Sequence, residues 1–360
     1  MKILCVIDSL GSGGAQRQLV ELAKGFKEKG HLVSFIIYHN INFFRSDLEA
    51  AGIPVKLVEE IKTLKRIFKI RSAISDYNPD VVLSFLDGAN FICEVVGFLP
   101  RKWKLIVGER SANPKIFSSF KLRFFKFFHL FANEIVYNSF SNQSIIRKVN
   151  PLLGRNKNHV IYNLIDPNRW LKVDSTIVQN KKFTLVIASS HQYLKNAAGL
   201  IEAVQRLEDR YKDMLQIEWY GDESPDRSLD KLKSLIREYS LQGIFKLYPS
   251  VKDIQNKYSY ADAVGLFSFY EGFPNTICEA MTMGKVVITS NVSDISKVLD
   301  HCPQLIFDPR KIDKIQESLE RLLELSANDR VLIGNRNRKK ALHLFNKKKI
   351  ISEYLKLITI

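Results

Sequence analysis

The sequence predicts an α/β protein of two doubly wound domains joined near residue 170. Short β-branched runs alternate with longer helix-periodic stretches along the chain, which implies βαβ crossovers and parallel sheets covered on both faces. The alternation breaks over 166–182, a polar interval without strong periodicity, and then restarts. The length, 360 residues with 46 % hydrophobic, suits two ordinary cores rather than one small domain or a disordered chain.

Strands are expected at 2–7, 32–38, 54–57, 81–85, 105–107, 134–137 and 159–162, with helices such as 15–29 and 43–51 between them. The first apolar run is only about six residues long and ends in Asp8 and a glycine turn, so it reads as a buried strand rather than a secretory leader. The second half repeats the pattern. Its expected strands are 184–188, 216–220, 245–248, 263–267 and 286–289, and its expected helices 197–210, 228–240, 251–258, 276–283 and 311–325. Ligands of open α/β sheets bind beyond the carboxyl ends of the strands, and two such domains facing each other make a cleft.

The formal net charge is +16, which points to an anionic partner. Residues 1–170 hold 25 basic and 14 acidic side chains, against 29 and 24 in the remainder, so the first half carries most of the excess. Between Arg110 and Asn133 there is no acid, but Arg110, Lys115, Lys121, Arg123 and Lys126 are present. Phe117, Phe120, Phe124, Phe127, Phe128 and Phe131 follow helical spacing through the same stretch. Such a segment reads either as an anionic-membrane and acceptor face (Phe117, Phe120, Lys121, Arg123, Phe124, Lys126) or as a core-facing helix with a solvated basic back. The basic segment 62–71 can add to that surface, and no nucleic-acid motif appears. Four dispersed cysteines and no apolar run of membrane-spanning length predict a soluble protein of a reducing cytosol, without zinc or disulfides.

Two loops carry the chemistry. After the first strand, Gly11, Gly13 and Gly14 allow backbone amides to approach a phosphate at a helix start. The third glycine of a dinucleotide fingerprint is absent, and no acid ends the second strand, which argues against an NAD-type oxidoreductase. The second loop, 268–289, runs from a strand through Glu271-Gly272-Phe273-Pro274-Asn275-Thr276 into a helix. Its amides can hold a diphosphate; Glu279, placed on the first helical turn, can accept ribose hydroxyls, and Glu271 can face a sugar.

The frame E-G-F-P-N-T-x-x-E-A-M-x-x-G, with Glu271 and Glu279 separated by seven residues, resembles the E-x7-E motif of retaining glycosyltransferase family 4 (glycosyltransferases group 1), of the GT-B fold. Gly13-Gly14-Ala15 resembles the family's glycine loop. Leu194-Lys195-Asn196 with Leu200-Ile201-Glu202-Ala203 resembles its lysine segment, and 160–166 its entry to the linker. The resemblance implies two Rossmann-like domains facing a cleft: an acceptor domain, 1–168, onto which the terminal helix 341–360 packs back, and a donor domain, 169–340. It implies donor contacts from Gly13, Gly14, Ser190, Lys195, Tyr220, Val251, Glu271, Gly272, Phe273, Pro274, Asn275, Thr276 and Glu279, with Lys195 neutralising the diphosphate and Glu271 meeting the donor sugar. Two departures stand out. Ser190, followed by His191, occupies the place of the family's usual arginine, and Gly108-Glu109-Arg110-Ser111 replaces a histidine found in many members. This variant resembles bacterial surface-polysaccharide enzymes, with Arg110 or Glu109 taking over sugar or acceptor contacts, or else forming a structural salt bridge.

The expected function is retaining transfer of a hexose or N-acetylhexosamine from a nucleotide diphosphate sugar, a UDP-sugar by preference, to a polyprenyl-diphosphate-linked glycan in capsule, O-antigen or exopolysaccharide assembly. Glu271, Lys195 and Arg110 are its candidate catalytic residues. No metal or other cofactor is expected, and the expected location is the inner face of the plasma membrane. The alternatives are a nucleotide-sugar epimerase of the same fold and a catalytically silent nucleotide-sugar-binding protein.

Overall fold

The computed structural model describes residues 1–171, 182–224 and 226–359; most of the polar interval, 172–181, lies outside the described residues. The chain forms two units, Met1–Leu164 with Lys347–Ile360, and Ile165–Asn346. In the first unit the described residues form a sheet of β1 (Lys2–Val6), β2 (Leu32–Ile37), β3 (Val55–Leu57), β4 (Val81–Phe85), β5 (Lys104–Glu109), β6 (Glu134–Tyr137) and β7 (Asn158–Val160). Its order is β3-β2-β1-β4-β5-β6-β7, with every pair parallel. Strands buried on both faces are continuous apolar runs, and Val81-Val-Leu-Ser-Phe85 is buried throughout.

The second unit holds β8 (Phe183–Ala188), β9 (Leu215–Tyr220), β10 (Phe245–Tyr248), β11 (Ala263–Leu266), β12 (Val286–Ser290) and β13 (Ile306–Phe307), in the parallel order β10-β9-β8-β11-β12-β13. The two-residue β13 is too short to leave a pattern in the sequence. The helix expected over 197–210 stops at Arg206, because Leu207 turns extended and is buried at 2 % exposure, and a second helix, Asp209–Met214, follows. The strand order reverses beside β1 in one sheet and beside β8 in the other, so crevices lie at the carboxyl ends of β1/β4 and β8/β11.

The terminal segment expected to pack back over 341–360 divides between two helices, Ala327–Leu344 and Lys347–Thr359, and only the latter belongs to the first unit. Phe345 breaks the run. It is 1 % exposed and packs edge-on against Phe273 inside the second unit. Beyond it Ile350, Ile351, Tyr354 and Ile358 enter the first unit's core. Tyr354 meets Phe26 edge to face, and Lys347 pairs with Glu28 at 2.8 Å.

The phenylalanine stripe is not one helix. Pro114–Phe117 is a 3-10 turn, Ser119 caps a new helix, Phe120–Phe127, by accepting from the Leu122 amide, and Phe128–Phe131 is a further 3-10 turn. Phe117, Phe120 and Phe124 are exposed (Phe120 at 83 %), as are Lys121 and Arg123. Lys126 departs from the expected face: it is 3 % exposed, and its Nζ lies 2.6 Å from both Asp87 and Glu109. The helix turns it inward because Glu109, also buried, needs a cation. His129 completes the cluster, with Nδ1 at 2.5 Å from Glu94 and Nε2 at 2.9 Å from Glu109. Burial pushes Glu109 up, but Lys126 and His129 outweigh it and hold the carboxyl well below its usual range. For His129 burial disfavours the charge, yet Glu94 and Glu109 prevail and raise it to about 9.

This cluster ties stability to pH. The contribution of the charged His129 is fully present below the unfolded histidine value of about 6.5 and is lost as pH rises through the raised folded value. Thermal unfolding should therefore show stability falling between pH 6.5 and 9, a slope that His129→Gln removes. In the second unit, a Cβ on Gly334 would run into the Gly284 carbonyl oxygen, where one backbone crosses another. Gly334→Ala should cost about 1–3 kcal/mol, read as a lowered Tm.

Candidate functional site

At the end of β8 the chain passes Ser189, Ser190 and His191 into the 3-10 turn Tyr193–Lys195, then through Asn196 in the left-handed region (φ 55°) into the helix Ala197–Arg206. Asparagine tolerates that conformation, and its Nδ2 donates to the Pro309 carbonyl at 2.8 Å. The turn brings Lys195 Nζ to 2.6 Å from Glu271 Oε1. Ser268 Oγ, fully buried, donates to the same oxygen at 2.7 Å. The two loops are tied together, because the Phe269 amide donates to the Leu194 carbonyl at 2.9 Å and the Tyr193 and Phe269 rings lie 5.3 Å apart. Lys195 and Glu271, 76 positions apart in sequence, thus meet where the paired strands β8 and β11 end.

Gly272, Phe273 and Pro274 are buried, Asn275 and Thr276 half-buried. Ser293 donates to the Gly272 carbonyl and holds this loop. Pro274, in extended conformation, directly precedes the helix Asn275–Thr282. Thr276 Oγ1 donates to the Ala188 carbonyl at 3.0 Å, fixing the helix start against the end of β8. The helix begins at Asn275, within the expected start, so that Glu279 is its fifth residue, at the end of the first turn; it is 2 % exposed.

On the other flank of β8, Tyr220 is buried, stacks on Tyr248 with centroids 4.8 Å apart, and donates its hydroxyl to Glu218. Gly221 must be glycine, since a Cβ there would collide with the Ser189 carbonyl oxygen. Asp222 accepts from Ser250 Oγ at 2.6 Å, joining the ends of β9 and β10 just before the half-buried Val251. His191 is 3 % exposed, and neither ring nitrogen has a hydrogen-bond partner among the described residues. Burial lowers its pKa, so at neutral pH it does not supply the charge missing at Ser190.

The remaining residues belong to the first unit. Gly13 precedes the helix Gly14–Glu28 in extended conformation. Asp8, at the end of β1, accepts from the Ser9 amide at 2.6 Å and from Gln16 Nε2 at 3.2 Å. Arg110, following β5, lies over the Phe85 ring at 3.9 Å and donates to Asn163 and to the Tyr354 hydroxyl. Glu109 takes the structural alternative: it is sealed in the Lys126–His129 cluster, 1 % exposed, and offers no surface to an acceptor. The cluster and Ser268 escape a reading of the sequence, since nothing in their spacing sets them apart from ordinary core and loop residues.

Comparison with known proteins gives the same picture over the length of the chain. The family model "Glycosyltransferase Family 4" matches residues 12–169 and "Glycosyl transferases group 1" matches 168–340. A Campylobacter jejuni protein named GalNAc-alpha-(1->4)-GalNAc-alpha-(1->3)-diNAcBac-PP-undecaprenol alpha-1,4-N-acetyl-D-galactosaminyltransferase is 26 % identical, over 99 % of this chain and 98 % of its own. The capsular polysaccharide biosynthesis glycosyltransferase CapH of Staphylococcus aureus is 20 % identical over 91 % of this chain and 94 % of its own. Anabaena HepE, crystallised with UDP and glucose, superposes with a TM-score of 0.87 at 20 % identity, covering 100 % of this chain and 99 % of that one. With the two family domains in sequence, and with two parallel sheets whose strand ends bear the E-x7-E loop and its lysine, the chain belongs to the GT-B glycosyltransferases.

Proposed function

We propose that the protein moves a hexose or N-acetylhexosamine from a UDP-sugar to a polyprenyl-diphosphate-linked glycan, with retention of configuration, during assembly of a bacterial surface glycan. The Lys195–Glu271 pair beside the start of the helix Asn275–Thr282 carries this reading. A cation, a sugar-facing carboxylate and a set of first-turn amides meet at one sheet edge, which is what a diphosphate-linked sugar requires. The naming of the Campylobacter jejuni relative supports a lipid-linked acceptor, and the UDP and glucose bound to HepE support the donor.

Lys195 and Glu271 satisfy one another. A bound diphosphate competes for Lys195 and releases Glu271 towards the sugar. As the bond from C1 to the diphosphate oxygen breaks, negative charge grows on that oxygen, and Lys195 with the helix-start amides stabilises it. The acceptor hydroxyl forms the new bond to C1 from the same face, and its proton passes to the departing diphosphate oxygen. In this scheme Lys195 and the amides do the work that a divalent ion does in other transferases, so turnover should persist in EDTA. Ser268 keeps Glu271 in place.

A panel of nucleotide sugars offered with polyprenyl-diphosphate oligosaccharides tests the reading. The expected result is transfer with the donor's anomeric configuration kept; an inverted product refutes retention, and absence of donor turnover across the panel refutes the transferase reading. Glu279→Ala and Lys195→Ala should each lower kcat at least about 100-fold with an unchanged Tm. Near wild-type rates would overturn the site.

No helix among the described residues is long and apolar enough to cross a membrane. Peripheral attachment to the inner face of the plasma membrane, through exposed Phe117, Phe120 and Phe124 flanked by Lys115, Lys121 and Arg123, completes the proposal. Flotation should show binding to anionic liposomes that weakens when Lys115→Gln, Lys121→Gln and Arg123→Gln are combined; equal binding would count against it.

A further inference from the structure

We infer that Asp87 is an acceptor-recognition residue, a carboxylate held at the edge of the first sheet to take hydrogen bonds from the hydroxyls of a neutral sugar. The inference rests on the glycosyl-transfer reading above and names one contact of its acceptor.

The first observation is position. Asp87 opens the helix Asp87–Phe98 directly after β4, and β4 is paired with β1 at the point where the strand order reverses. Asp8 ends the neighbouring β1, so two carboxylates stand on adjacent strand ends in the crevice where such sheets take ligands.

The second is the backbone that delivers it. Leu86, between strand and helix, has φ 76° and ψ 148°, a region that belongs to glycine. A leucine there is strained, and such strain survives only where the surroundings impose it. The Leu86 carbonyl is held by the Asn90 amide at 2.8 Å.

The third is charge. Lys126 and His129 are matched by Glu109 and Glu94, which lie 2.6 Å and 2.5 Å from them. Asp87 is the third carboxylate of the cluster, and it is the one that reaches the surface: its side chain is 35 % exposed, against 1 % or less for the other two. Lys126 Nζ binds Asp87 Oδ1 at 2.6 Å and so fixes the orientation of the whole carboxylate. The ion pair with a buried lysine thus holds a partly exposed carboxylate at a ligand-binding edge. A carboxylate so placed accepts from sugar hydroxyls and repels phosphate, which selects a neutral sugar ring. Tyr38, just beyond β2 at the same edge, sets its hydroxyl 3.0 Å from where a Cβ of Gly88 would lie, so the backbone beside Asp87 is packed as well. Lys126, Glu109 and His129 are positioning residues for Asp87.

Saturation-transfer NMR on the full chain with the methyl glycosides of N-acetylgalactosamine, galactose, glucose and mannose provides the test, alongside UDP release from a UDP-sugar without acceptor. The wild-type protein should contact at least one glycoside, and Asp87→Ala should lose that contact and raise the acceptor KM at least about tenfold. Acceptor-independent UDP release should stay unchanged in the variant. Asp87→Glu should recover part of the contact, which a purely structural role would not produce. If Asp87→Ala lowers Tm, the contact is measured well below the lowered midpoint, where the variant is folded, and must still be lost. Equal glycoside contact in wild type and Asp87→Ala, or no contact in wild type, overturns the inference. Donor turnover in the same samples judges the transferase reading separately.

Discussion

A parallel strand pair can be joined only by a crossover, and in both sheets of this protein every paired strand is parallel. That constraint governs the rest. Each strand must end at one edge, each following helix must begin there, and the sheet interior must be apolar on both faces. The polar side chains that follow the strands therefore gather at a single rim in each unit. Asp8, Asp87 and Arg110 follow β1, β4 and β5 in the first; Ser190, Lys195, Asp222 and Glu271 follow β8, β9 and β11 in the second. Chemistry gathers at these rims because the backbone topology leaves it nowhere else to go.

The two units manage charge differently. In the second, Lys195 and Glu271 are 16 % and 17 % exposed and form a pair that solvent reaches. In the first, Lys126, His129, Glu94 and Glu109 are sealed, and each makes good the cost of burying its neighbours. Removing any one of them leaves an uncompensated buried charge, so this cluster behaves as a structural unit. The open pair suits exchange of partners; the closed cluster suits holding a geometry.

Much of this is readable in the sequence, and the failures have physical causes. Strands such as Val81–Phe85 and Glu134–Tyr137 stand where expected, since burial on both faces writes a short, mostly apolar run. The E-x7-E loop is legible because a strand, a Gly/Pro turn and a helix start must follow one another closely in sequence. Lys126 is not, because helical periodicity shows which residues share a face and says nothing of a buried acid contributed by β5. The aromatic periodicity runs on through Ser119, although a serine there is well suited to cap a new helix, and it does so. Ser268 and His129 act only through partners brought close by the fold, and no local pattern announces them.

The return of the chain to the first unit has its own consequence: the helix Lys347–Thr359 supplies Ile350, Ile351, Tyr354 and Ile358 to that unit's core, and Tyr354 reaches Arg110. The second unit is thus an insertion within the first. During synthesis the ribosome delivers every residue of the inserted unit before the final helix of the first emerges. The unit begun earliest is completed last, and until then its nascent core stays open along the helix Gly14–Glu28, the surface that Phe26 and Gly25 later offer to Tyr354 and Ile351.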